Sequence, residues 1–212
     1  MNSRNIVVFI TLVAGVILVQ LVSRGQPGAS TAEKSKTGIN NSATSSSAKI
    51  GDLLANVPDS WIGIRPSSSM RLMEFRLGLV TDDATLAIFK NIGGSIDDNL
   101  ERWSGQFGYL LSDSEVNIRT ENINGMQVTI ISIIGTYTNR MTFSKPTQPK
   151  NNYRLLGAIA DTRDGLYYFK LTGPNTVITS KIEEFTRFIQ SLRYDEIGLK
   201  ILKRTYLWQI MW

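Results

Sequence analysis

Residues 95–107 read SIDDNLERWSGQF, and this stretch decides the fold. Ile96, Leu100, Trp103 and Phe107 recur at 4-3-4 spacing, which puts one apolar face on a helix. Ser95 followed three residues later by Asp98 is a start signal of the capping-box kind, Gly93-Gly94 breaks the segment before it, and Gly108 is placed to end it. A helix with a single apolar face must lie on something, and the flanking residues supply a sheet.

Working outward, short β-rich runs occupy 61–65, 70–77, 85–89, 116–121, 126–138, 154–160 and 166–171. Several alternate cleanly, as Met70, Leu72, Glu74 and Arg76 do against Arg71, Met73, Phe75 and Leu77. Asn124-Gly125 is a two-residue hairpin turn, and Arg163-Asp164-Gly165 reads as a longer one. A second helix is predicted over 175–192, where Ile178, Ile182, Phe185, Ile189 and Leu192 share a face behind Pro174. Strands joined by hairpins, with two main helices, predict an α+β domain: a mostly antiparallel sheet of about six to seven strands covered by helices.

The domain is expected over residues 50–194. Before it, residues 6–22 form an apolar run interrupted only by Thr11, Gly15 and Gln20. At a rise of about 1.5 Å per residue this approaches the thickness of a bilayer core. Residues 1–24 therefore read as a signal anchor or, with a cleavage site near Ser30-Thr31-Ala32, a signal peptide. Residues 25–49, rich in Ser, Thr, Ala, Gly, Asn and Lys and without an aromatic residue, read as a flexible linker. The tail at 195–212 mixes Lys200, Lys203 and Arg204 with apolar residues, and on a helical wheel the cations do not segregate. The expected location is membrane-anchored with the domain outside the cytoplasm, or secreted or periplasmic after cleavage.

Composition removes several functions. The chain has no Cys and no His. Disulfides, thiolate nucleophiles, Cys-based zinc sites and Ser-His-Asp catalysis are thereby excluded. Without the first 32 residues, which carry Arg4 and Arg24 and no acid, 21 basic side chains face 18 acidic ones. So small and scattered an excess does not make a nucleic-acid surface. No cofactor and no metal site is expected.

The candidate site lies on the first helix. Asn99, Arg102 and Gln106 line up beside the apolar face that includes Trp103. An Asn, an Arg and a Gln at a helix–sheet boundary can hold a carboxylate or phosphate-like group, the Arg through its fork. Equally, they can hydrogen-bond backbone at the sheet edge and position the adjacent loop. Asp97, Asp98 and Glu101 fall on the solvent side, where complementing the helix dipole accounts for them. Asp82-Asp83 has the composition of a turn. The exposed turn at 145–150, KPTQPK, is a second candidate partner surface.

The stretches VPDSWIGIRPSSSMRLMEFRL (57–77), GGSIDDNLERWSGQF (93–107), YRLLGAIA (153–160), YYFKLTGPNTV (167–177) and QSLR (190–193) occur in this order. They resemble a family of uncharacterised exported bacterial proteins, itself similar to the PsbP-like α/β/α sandwiches of photosystem II extrinsic proteins. The resemblance covers about 57–193 and implies a fold; members of that superfamily have unrelated roles, so it implies no activity. The functional expectation is a non-enzymatic binding or assembly module near the membrane, with an envelope protein as the candidate partner. The alternatives are a carboxylate- or Lys-dependent enzyme, a small-ligand-binding domain, or a structural envelope component.

Overall fold

Antiparallel pairing organises the described residues. The structure is a computed structural model and describes residues 45–138 and 148–196. Ten strands occur among these residues: β1 (Ser45–Ile50), β2 (Leu53–Pro58), β3 (Ile62–Ile64), β4 (Arg71–Arg76), β5 (Thr85–Lys90), β6 (Val116–Ile123), β7 (Met126–Tyr137), β8 (Lys150–Thr162), β9 (Gly165–Pro174) and β10 (Arg193–Tyr194). The helices are α1 (Ile96–Gly105), α2 (Asn175–Ser180) and α3 (Ile182–Gln190). Seven strands form one sheet in the order β3-β4-β5-β9-β8-β7-β6, and β1-β2-β10 form a second, smaller one. All neighbouring pairs in both sheets are antiparallel.

The predicted runs become β3 to β9, all in the large sheet. Asn124 and Gly125 both take positive φ, at 49° and 83°, as a tight turn between β6 and β7 demands. Arg163-Asp164 closes β8 onto β9 more tightly than expected, because Thr162 already pairs with Gly165.

Two departures have physical causes. The helix expected over 175–192 is interrupted at Lys181 (φ −105°, ψ 1°), giving α2 and α3. Just before the break, Ser180 Oγ donates to Val177 O at 2.7 Å, and Thr179 Oγ1 donates to Asn175 Oδ1 at 3.2 Å. Such local side-chain bonds compete with a regular helix. The second departure is the small sheet. Residues 45–49 belong to β1 rather than to the linker, because β1 pairs residue for residue with β2. Ile50, Leu53, Ala55 and Val57 from this sheet join the core against Phe185, Phe188 and Ile189 of α3.

Helices pack on each face of the large sheet. On one side, α2, α3 and the small sheet enclose a core with Phe75, Leu86, Ile88, Tyr167 and Phe169. There Trp61 packs on Phe188 at 5.0 Å between ring centroids and donates its indole N–H to Glu184 at 2.8 Å. On the other side lies α1, whose Leu100 and Trp103, with Phe107 just beyond it, pack on Ile131, Ile133, Leu155, Ile159 and Tyr168. The cap foreseen at Ser95 is present: its Oγ accepts from Asp98 N–H at 3.1 Å, and Asp98 Oδ2 accepts from Ser95 N–H at 2.7 Å. That backbone bond and the Ser95 hydroxyl hold the Asp98 carboxyl below its usual range. Ser95→Ala should therefore cost about 1 kcal/mol in urea denaturation, the usual value of such a cap.

The apolar run at 6–22 and the tail beyond Glu196 lie outside the described residues. Among the described residues, no helix is long and apolar enough to cross a membrane.

Candidate functional site: a cationic cavity beside the first helix

Helix α1 is too short to cover its face of the sheet. Its contacts lie over β7, β8 and β9, where Trp103 presses onto Gly157: a Cβ at that position would sit 2.4 Å from the indole. Toward β5 and β4 the sheet stays uncovered, and a cavity of about 520 Å³ opens there. Thr85, Ala87 and Phe89 of β5 with Lys170 and Thr172 of β9 give the sheet side, and Arg102, Trp103 and Gln106 the helix side. Arg71 and Glu74 of β4 line it too, as do Tyr137, Lys150 and Tyr153 from β7 and β8 and Asp83 from the turn before β5. Its volume is within the range of small-molecule sites, about 300–1,000 Å³.

Three of the residues singled out on α1, namely Arg102, Trp103 and Gln106, meet in this cavity. Asn99 does not line it. It is fully buried, and its amide donates to Gly93 O at 3.0 Å and Ser95 O at 2.7 Å, pinning the glycine turn. Its Oδ1 accepts from Arg102, so Asn99 orients the guanidinium from behind. On one face, then, Asn99 bonds backbone and Arg102 lines the cavity. Asn99→Ala should cost about 1–2 kcal/mol, since it removes a fully buried amide that donates to Gly93 O and Ser95 O and accepts from Arg102; thermal melting of the variant checks this.

Lys170 was not foreseen. It alternates with Phe169 and Leu171 on β9, and its side chain emerges on the α1 face beside Tyr168. Its ammonium donates to Gln106 Oε1 at 2.5 Å and stands 5.7 Å from the Tyr137 ring centroid and 6.0 Å from that of Trp103. Ring faces attract a cation, though less than a carboxylate does. Burial, and then the positive charges of Arg102 and Arg71, push the amine down to about 7. A lone Lys on the inward register of an aromatic strand, YYFKL, was the signal available in the sequence.

The acids of the cavity are already engaged. Glu74, nearly fully buried, accepts from Arg71 at 2.5 Å and from Ser67 N–H at 2.7 Å. Asp83 pairs with Lys150 and accepts the Tyr153 hydroxyl at 2.8 Å. Burial works to raise the Asp83 carboxyl, yet these two donors outweigh it and hold it below its usual range. Burial, reinforced by the Asp83 contact, pushes the Tyr153 phenol up to about 12. Asp83, which reads as an ordinary turn residue in the sequence, is thus part of the wall. Of the turn at 145–150, residues 145–147 lie outside the described residues, while Gln148 and Lys150 line the cavity.

The four cations Arg71, Lys150, Arg102 and Lys170 consequently face two carboxylates, Glu74 and Asp83. Arg102 and Lys170 make no ion pair within 4 Å among the described residues. The Nε–H groups of Arg71 and Arg102 are buried with no acceptor. Elsewhere the described residues hold no cluster of three or more Asp or Glu suited to a metal ion; Asp98 caps α1, as its position suggested.

Fold and site together define an α+β domain with a seven-stranded antiparallel sheet, helices packed on both of its faces, and a cation-rich cavity at the edge of one helix. The chain is similar to the solution structure of cyanobacterial PsbP (CyanoP) from Synechocystis sp. PCC 6803, with TM-score 0.46 and 16% identity, covering 74% of this chain and 96% of that one. It is also similar to PA94 from Pseudomonas aeruginosa, a protein of unknown function described as a putative regulator, with TM-score 0.33 and 10% identity over 70% of this chain and 96% of that one. No family model and no curated protein matches the chain.

Proposed function

We propose that this chain is a non-enzymatic binding module whose working surface is the cavity beside α1. The observation that carries this reading is the charge imbalance: Arg102 and Lys170 share a confined space with no carboxylate paired to either. Two cations held close in a partly dry cavity repel one another; Lys170 relieves this by giving up its proton near neutral pH, and a bound anionic group relieves it with both charges kept. A thermal-shift panel of small molecules on the full chain tests the reading. A stabilising ligand whose effect is lost in Arg102→Met supports it; no shift with any member overturns it.

Export belongs to the same proposal, as does kinship with the exported bacterial family. Both rest on the apolar run at 6–22 and on the sequence words quoted above. The module would then work outside the cytoplasm, anchored by its N-terminal segment or released by cleavage, next to an envelope protein. A reporter active only outside the cytoplasm, fused after Lys49, should be active in cells.

One observation favours a second reading, a Lys-dependent enzyme. An amine brought down to about 7 by burial and neighbouring cations is largely unprotonated just above neutral pH, as a nucleophilic lysine must be. Turnover of a bound ligand, lost in Lys170→Arg, would replace the first reading with this one.

A further inference from the structure

The chemistry of the cavity specifies its ligand more closely than the presence of an anion, and this step rests on the binding reading above. We infer that the cavity takes a small organic anion with a flat, unsaturated body, its charged group held between Arg102 and Lys170 and its body laid on the aromatic wall.

Three features converge. The first is the pair of unmatched cations. Asn99 holds Arg102 from behind, and Gln106, buried and with its backbone carbonyl tied to Thr138 N–H at 2.8 Å, fixes the Lys170 ammonium. Neither cation can swing out to solvent without breaking its part-buried hydrogen bond. The second is the orphaned Nε–H of Arg102: a guanidinium whose Nη2 is engaged and whose Nε is buried without an acceptor is missing a partner. A planar anionic group offers more than one acceptor oxygen to such a fork.

The third is the wall. Tyr137 and Tyr153 lie parallel, 6.0 Å apart with 9° between their planes, and Trp103 and Phe89 border the same space. Flat aromatic faces favour a flat partner over an aliphatic one of equal area. A bare inorganic anion would satisfy the cations and leave this surface wet. The size argues the same way, since a cavity of about 520 Å³ exceeds what a simple oxyanion fills.

Matched probes on the full chain test the inference by isothermal titration at pH 6.5. The probes are 2-naphthoate, 2-naphthyl phosphate, the neutral 2-naphthamide, hexanoate and inorganic phosphate. The expected result is that 2-naphthoate or 2-naphthyl phosphate binds at least tenfold more tightly than 2-naphthamide, hexanoate and inorganic phosphate. Which of the two binds better tells a carboxylate from a phosphoryl group. Arg102→Met and Lys170→Met should each weaken binding of the preferred probe at least tenfold, with thermal melting confirming that both variants fold. Naphthamide equal to naphthoate removes the anion requirement, and hexanoate or inorganic phosphate equal to the naphthyl anions removes the flat body; either overturns the inference. Should neither naphthyl anion bind while another compound in the thermal-shift panel does, the inference falls and the binding reading stands. Should nothing bind, both fall.

Discussion

Gly157→Ala is expected to destabilise the domain by about 1–3 kcal/mol and to abolish ligand binding, through a single methyl group. The Cβ it adds would sit 2.4 Å from Trp103 Cζ3, 2.8 Å from Trp103 Cε3 and 2.7 Å from Ile131 Cγ2. Overpacking of a closed core costs energy of this size, because side chains leave their rotamers or the backbone shifts. Neither neighbour has room to retreat: Trp103 is 3% exposed and Ile131 is fully buried. The least costly response is for α1 to lift from the sheet. Arg102 and Gln106 would lift with it, and Gln106 would part from Lys170. Urea denaturation measures the loss, and the thermal midpoint should fall by about 2–4 °C per kcal/mol. A double-mutant cycle with Trp103→Leu should show the two changes to be less damaging together than their sum. Stability of Gly157→Ala within 0.5 kcal/mol of the parent would mean that the indole does not rest on Gly157.

Lys170→Met should alter how stability depends on pH. In the folded chain burial, then the charges of Arg102 and Arg71, bring the amine from 10.5 down to about 7. Between pH 7 and 10.5 the unfolded chain therefore binds more protons at this residue than the folded chain does. Stability due to this group rises with pH across that window. Below about pH 7 Lys170 is charged in both states, and the full cost of its burial is present. The parent should accordingly gain on Lys170→Met as pH rises from 6 to 10, by about 1–4 kcal/mol, the range seen when a buried charge is replaced by an apolar side chain.

Charged and titratable groups from several elements face Lys170. Arg102 comes from α1, Arg71 and Glu74 from β4, Tyr137 from β7, Lys150 and Tyr153 from β8, and Asp83 from the turn before β5. The Tyr153 phenol stands at about 12, and burial raises that of Tyr137 above its ordinary value. Depriving Gln106 of its donor adds an offset that does not vary with pH, so the slope is the quantity to read. Guanidinium melts of parent and variant at pH 6, 8 and 10 supply it; parallel curves would mean that the amine is not perturbed. The same titration predicts that anion binding weakens as pH rises through 7.

Much of the scaffold was legible because it rests on local rules. Ser95 and Asp98 announce α1, since a helix start needs acceptors for its free N–H groups. Asn124-Gly125 announces a hairpin, because few other residue pairs tolerate two positive φ values in succession. Strand alternation announces β4 in the same way. The small sheet was not legible: β1 is a serine-rich run with no strand signature of its own. It becomes a strand because β2 offers it a full set of backbone partners, and that edge is set by the approach of α3.

The sequence by itself determined the apolar face of α1, the seven runs that form the large sheet, and which chemistries are impossible in a chain without Cys or His. It also placed Arg102, Trp103 and Gln106 on one side of one helix, because the helical period is a property of the local backbone. Only the tertiary structure decided that Lys170 stands opposite them, about 65 residues further along the chain, with Arg71 on one flank and Tyr137 and Tyr153 on the other. That meeting depends on the strand order β4-β5-β9-β8-β7, and strand order reflects which sheet edges each hairpin covers, a global outcome that no local pattern encodes.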